Sequence, residues 1–152
     1  MLTLKKKGYR LSPETVDLLS QEFADSLAEA EADRKDILRL RLSLEEILES
    51  WSSALPGAPV TFCAKKRLGR QRVEIRVEGR ELRADDVLKN CLLSSRLLAQ
   101  AGLTLTQSYQ NGENCLTVEP PRKRKLGQMQ KLLLAIVSAV VLGLLQRLLP
   151  AG

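Results

Sequence analysis

Asp36-Ile-Leu-Arg-Leu-Arg-Leu-Ser-Leu-Glu-Glu-Ile-Leu-Glu-Ser-Trp51 decides how the rest of this chain is read. The stretch holds no Gly or Pro and is rich in Leu, Glu and Arg, all good helix formers. At about 100° per residue, Ile37, Leu40, Leu44, Ile47, Leu48, Trp51 and Leu55 fall on one face. A polar stripe of Arg39, Ser43, Glu46 and Ser50 runs beside that face, not opposite it. Such a stripe sits where a helix borders a pocket, which makes Glu46 and Ser50 candidate functional residues. The alternative is a solvated margin of the buried face.

Working outward, Ser12-Pro13-Glu14 reads as a helix start: a capping hydroxyl, a proline suited to the first turn, and an acid at the positive end of the dipole. Val16, Leu19, Phe23 and Leu27 give that helix a buried stripe to about Ala30, and Asp33 caps the helix that follows. Pro56-Gly-Ala-Pro59 stops the second helix. Val60, Phe62 and Ala64 then alternate with polar partners, as do Val73, Ile75 and Val77, so a hairpin with one buried and one wet face is expected. Its turn, Lys66-Arg-Leu-Gly-Arg-Gln71, is basic: either a solvated tip or a contact for phosphates. Asp85 or Asp86 caps a third helix with Leu88, Leu92, Ser95, Leu98 and Ala99 on its apolar face. Two strands flank Asn111-Gly112, a strong hairpin signal. A short edge strand is expected at Tyr9-Arg10-Leu11. The order predicts an α+β two-layer sandwich of about 110 residues, helices on one face of an antiparallel sheet.

Composition removes several functions. Among 152 residues there is no His, and the three Cys form no CxxC pair, so neither a zinc site nor a disulfide framework is expected. Without His there is no Ser-His or Cys-His nucleophile pair. Aromatic content of 3% leaves little for stacking nucleic-acid bases. The net charge of +6 is localised, since six of the 24 Lys+Arg and none of the 18 Asp+Glu lie in 121–152. A neutral body with a basic stretch against an apolar one points to a membrane surface and away from nucleic acid.

Residues 1–120 are therefore expected to form one domain, ended by Pro120-Pro121. Residues 121–131 read as a basic linker carrying Arg122, Lys123, Arg124, Lys125 and Lys131, the membrane-anchoring candidates. From Leu132 to Leu149 only Ser138, Gln146 and Arg147 interrupt the apolar run. As a helix it spans about 27 Å, close to the hydrocarbon thickness of a bilayer. A transmembrane helix over 132–149 is expected, with membrane lipid as a partner. The basic cluster ahead of it places the N-terminal domain in the cytoplasm by the positive-inside rule.

The helix pair, hairpin, helix and hairpin resemble the histidine-kinase-like ATPase fold, in particular its anti-sigma-factor branch. That family carries Glu-x-x-x-Asn on its second helix, and Leu44-Glu-Glu46-Ile-Leu-Glu-Ser50 is similar, with Glu46 at the Glu and Ser50 at the Asn. The resemblance implies that Glu46 orients a water and Ser50 holds magnesium bound to ATP. The family's Asp-x-Gly-x-Gly corresponds to Val77-Glu-Gly79-Arg-Glu81, which keeps Gly79 but lacks the adenine-reading Asp and the second Gly. The phosphate-cradling glycine-rich lid has no counterpart, since about eight residues separate Gly79 from the third helix. ATP and magnesium are thus the implied cofactors of a reduced site, formed by Glu46, Ser50 and Gly79 if retained.

Leu-Arg-Leu-Arg-Leu-Ser-Leu-Glu-Glu-Ile-Leu, Lys-Lys-Arg-Leu-Gly-Arg and Tyr-Gln-Asn-Gly-Glu-Asn-Cys-Leu-Thr-Val also look like the cytosolic N-terminal extension of certain bacterial sodium:dicarboxylate symporter family transporters. This implies that Leu132–Leu149 opens the membrane part of a transporter, whose remainder would be the domain's partner. Two functions are then expected: a membrane-attached regulatory or interaction domain without catalysis, or an ATP-binding kinase-like or anti-sigma-like module with a divergent site.

Overall fold

A computed structural model describes residues 2–90, 96–97, 99–119 and 123–148 of the chain. The elements are β1 (Leu2–Arg10), α1 (Pro13–Glu29), α2 (Arg34–Ala54), β2 (Pro59–Arg67), β3 (Arg70–Glu78), α3 (Ala84–Asn90), β4 (Leu105–Gln110), β5 (Glu113–Val118) and α4 (Lys123–Leu148). They fall into two units, Met1–Pro120 and Pro121–Gly152.

Local chemistry sets the helix starts. The Ser12 hydroxyl accepts from the Thr15 amide at 3.3 Å, and the Thr15 hydroxyl accepts from the Ser12 amide at 2.9 Å. Two amides that the first turn would leave without partners are thereby satisfied. Asp33 caps α2 through the Lys35 amide at 3.3 Å. The strands form one antiparallel sheet in the order β1-β2-β3-β5-β4. The helix stripes and one sheet face make the core: Phe23, Leu44, Ile47 and Trp51 meet Phe62, Ile75 and Leu116, each at most 1% exposed. Ile37 and Leu55, at the ends of the α2 stripe, are half-buried. The first unit is therefore the α+β arrangement expected, helices packed on an antiparallel sheet.

Several expectations are corrected. The first strand is nine residues long, not a short piece around Tyr9, because Lys5 and Lys7 reach Glu22 of α1 and secure the edge strand to the helix layer. Asp85 and Asp86 lie inside the first turn of α3 and do not cap it; carboxylates there still favour the helix dipole. Ala99, placed on the apolar face of that helix, is exposed, while Leu92, Ser95 and Leu98 lie outside the described residues. The outer sheet face is not uniformly wet either. Cys63 and Glu74 are 4% and 3% exposed there, because Lys65, Arg72 and Arg76 close over the Glu74 carboxylate at 3.5, 3.6 and 3.0 Å.

In the second unit, α4 begins at Lys123, so most of the basic stretch read as a linker is helical. Lys, Arg, Leu and Gln between 123 and 131 are good helix formers, and the lone Gly127 is tolerated. Arg122 and Leu149 lie outside the described residues. Among the described residues no helix is long and apolar enough to cross a membrane.

Candidate functional site

The residues that the resemblance brings together are built for different tasks. On α2, Arg39 donates to the Gln100 carbonyl at 3.3 Å and pairs with Asp36 at 3.5 Å. The Ser43 hydroxyl is buried and donates to the Arg39 carbonyl at 3.3 Å. This half of the polar stripe therefore serves packing along α2. Glu46 and Ser50, one and two turns further on, are exposed.

Gly79 follows β3, and the glycine there has a local cause. Its φ of +146° lies where a side chain is strained, and a Cβ would come within 2.8 Å of Leu55 Cδ1. Its amide donates to the Gly112 carbonyl at 3.0 Å, and its carbonyl accepts from the Tyr109 hydroxyl at 2.8 Å. Beyond it, the link to α3 is pinned by side chains from β4 and β5. Asn114, fully buried, accepts from the Leu82 amide at 2.8 Å and donates to the Arg80 carbonyl at 2.9 Å. Gln107 accepts from the Ala84 amide at 2.5 Å and donates to the Leu82 carbonyl. Five backbone groups in this short link are thus paired by three side chains, which holds it against the sheet.

Between α3, the link and β4 lies a cleft of about 320 Å³. Glu81, Arg83, Asp85, Leu88, Gln107 and Tyr109 line it, and Glu46, Ser50 and Gly79 do not. Among the described residues its charged groups are two carboxylates and one guanidinium. Leu88 and Leu105 supply an apolar wall.

Asn114, Gln107 and Tyr109 were not singled out by sequence. Their signal was present: in Glu113–Val118 an Asn occupies a core-facing position with Leu116 and Val118, and Gln107 and Tyr109 share the face of Leu105. A polar residue in a core alternation demands a partner, but that partner, a link 23 to 34 residues away, is set by the fold.

Mg-ATP does not fit these residues. Val77 stands where the resembled family has its adenine-reading Asp, and it is wholly buried without a polar atom. Gly79 is taken up by Leu55 and Tyr109, and Glu46 and Ser50 lie apart from the cleft. Among the described residues no three His, Cys, Asp or Glu side chains gather to hold a metal ion. The fold and cleft define a small two-layer α+β domain with an antiparallel sheet and a link-bounded pocket. No protein-family model matches the chain, and no curated protein matches it significantly.

Proposed function

We propose that this chain is a membrane-attached regulatory or interaction domain, built on a fold resembling the histidine-kinase-like ATPases but without a working nucleotide site. The N-terminal unit would act in the cytoplasm as part of a longer transporter of the sodium:dicarboxylate symporter kind.

One observation carries the attachment. Leu133, Leu134, Ile136, Val137, Val140, Val141, Leu142, Leu144 and Leu145 of α4 are each between 49% and 67% exposed. All but Leu142 lie within one half of the helix circumference, and the other half carries Leu142 among Ala135, Ser138, Ala139, Gly143 and Gln146. A broad apolar face of that kind favours an apolar environment, and the basic residues at its start suit an anionic headgroup layer.

The absence of nucleotide work rests on the cleft. Glu81 and Asp85 against Arg83 leave it with an acidic excess, which repels a triphosphate. An adenine amino group buried without an acceptor costs about 1–3 kcal/mol, roughly 5- to 150-fold in affinity. An ATP-binding module remains the second reading, because the cleft adjoins the link that starts at Gly79.

Calorimetric titration of the full chain in detergent with Mg-ATP decides between them. The expected result is no binding in the micromolar range. A micromolar constant that vanishes in Glu46→Ala overturns the non-nucleotide reading. Attachment is tested separately, by whether the chain stays with the membrane fraction through an alkaline wash.

A further inference from the structure

The outer face of the sheet, away from the helices, is electrostatically polarised. Register and alternation place Lys65, Arg67, Arg70 and Arg72 on the half nearer the β2–β3 turn, with Lys6 at the middle of the sheet. Opposing them are Glu74, buried beneath Lys65, Arg72 and Arg76, and Glu119, which pairs with Arg72 at 3.0 Å. The other half carries Glu78 and Glu113, directly paired across β3 and β5, balanced by Arg76 and Arg10, so it has no net charge. Arg67 and Arg70 flank the turn, are exposed, and make no ion pair among the described residues. The α1–α2 corner with Glu29, Glu31 and Asp33 is acidic but belongs to the helix layer, behind the sheet.

The turn itself has an unusual tip. Leu68 is 82% exposed and holds φ at +51°, beside Gly69 at +76°. Two consecutive left-handed residues make the tight hairpin turn that suits twisted strands, and Asn-Gly or Gly-Gly fill it without strain. Here a leucine is kept in that conformation with its side chain in solvent. Backbone strain of this sort is found at sites with a use for the residue. The same end of the sheet holds Val118 and Glu119, where the chain leaves the domain toward Arg122-Lys-Arg-Lys125 and α4.

We propose that the basic half of the outer sheet face, with Leu68 as an apolar tip, docks on anionic lipid headgroups beside the point where the chain enters the membrane. This rests on the attachment reading above. Three features favour a lipid surface as occupant: positive charge spread over the strands beside the turn, an exposed aliphatic at its leading edge, and continuity with a chain exit that is itself basic in sequence.

The test uses the full chain in lipid nanodiscs, either zwitterionic or with about 30% phosphatidylserine, an anionic fraction that sets up the negative surface potential. Leu68→Trp serves as probe, with spin-labelled lipid as quencher and the parent chain, whose Trp51 is buried, as background. Quenching is expected in the anionic discs alone, and it should disappear in about 0.5 M salt, where charge interactions beyond a few ångströms are screened. Adding Arg67→Gln and Arg70→Gln should lower the docked-to-undocked ratio by about 25-fold, roughly fivefold per cation at such a surface. Incorporation into the discs is read independently by co-elution. A chain that co-elutes with anionic discs but leaves Leu68→Trp unquenched overturns the docking and leaves attachment standing. Equal quenching in zwitterionic discs, insensitive to salt, overturns it too, because charge would not be what is recognised. A chain that never co-elutes removes the attachment reading beneath it.

Discussion

Single positions separate what is structural from what could be functional. Gly79 looked like a remnant of a nucleotide motif, yet φ of +146° and the 2.8 Å approach to Leu55 require glycine for packing alone. Gly79→Ala should cost about 1–3 kcal/mol in denaturant melts, the scale of one strained backbone position; a neutral substitution would remove the packing account. Trp51 is 1% exposed among Leu44, Ile47 and Leu48. Its indole nitrogen has no hydrogen-bond partner among the described residues, so its contribution comes from apolar contact. Trp51→Ala should cost about 3–5 kcal/mol, the usual loss for a large core aromatic. A change below about 1 kcal/mol would mean the indole is not core. Leu68→Asn should raise stability by up to about 1 kcal/mol, since Asn tolerates the left-handed region that Leu resists. A destabilisation would show that the Leu68 side chain supports the turn.

Among elements, β1 is the one whose placement depends most on charge. It is an edge strand rich in lysine, a composition that discourages strand addition by other chains. Lys5 and Lys7 face the helix layer and grip Glu22 of α1, with Lys7 at 2.6 Å. Side-chain hydrogen bonds from Lys5 and then Lys7 hold the Glu22 carboxyl below the usual carboxylate range. A depressed folded-state value stabilises the fold above the unfolded value, about pH 4.3, and that contribution fades as pH falls through the folded value. The stability difference between the parent and Glu22→Gln should therefore be present near neutral pH and shrink below about pH 4. A difference that stays constant down to about pH 3 would mean the carboxylate's charge is not what holds β1.

For the whole molecule, the two units differ in how much of their apolar surface they enclose. The first encloses a core of its own, from Leu11 to Val118. An isolated segment ending at Pro120 should fold reversibly, stay soluble and melt in one transition, as domains of this size commonly do. Aggregation or a gradual melt would place the boundary elsewhere. The second unit exposes a broad apolar face of a helix. Adding it should make the chain require detergent or lipid.

Local sequence determined most of the fold. Ser12 and Asp33 mark helix starts through their own side chains, Asn111-Gly112 supplies a turn through two left-handed residues at +54° and +74°, and the α2 stripe follows from a period of 3.6. Each of these signals is complete within a few residues, so a single chain reveals it. The length of β1 was hidden, because Leu2–Lys7 becomes strand only by pairing with β2 across more than 50 residues and binding Glu22. The burial of Glu74 was hidden as well, since its three cations come from two strands and surround it only in register. At the candidate site the sequence put Glu46, Ser50 and Gly79 together by spacing along a resembled motif. The tertiary structure gathers Glu81, Arg83, Asp85, Gln107 and Tyr109 instead. A pocket is a junction of distant elements, and the side chains that close it are chosen by how those elements pack, which no local pattern encodes.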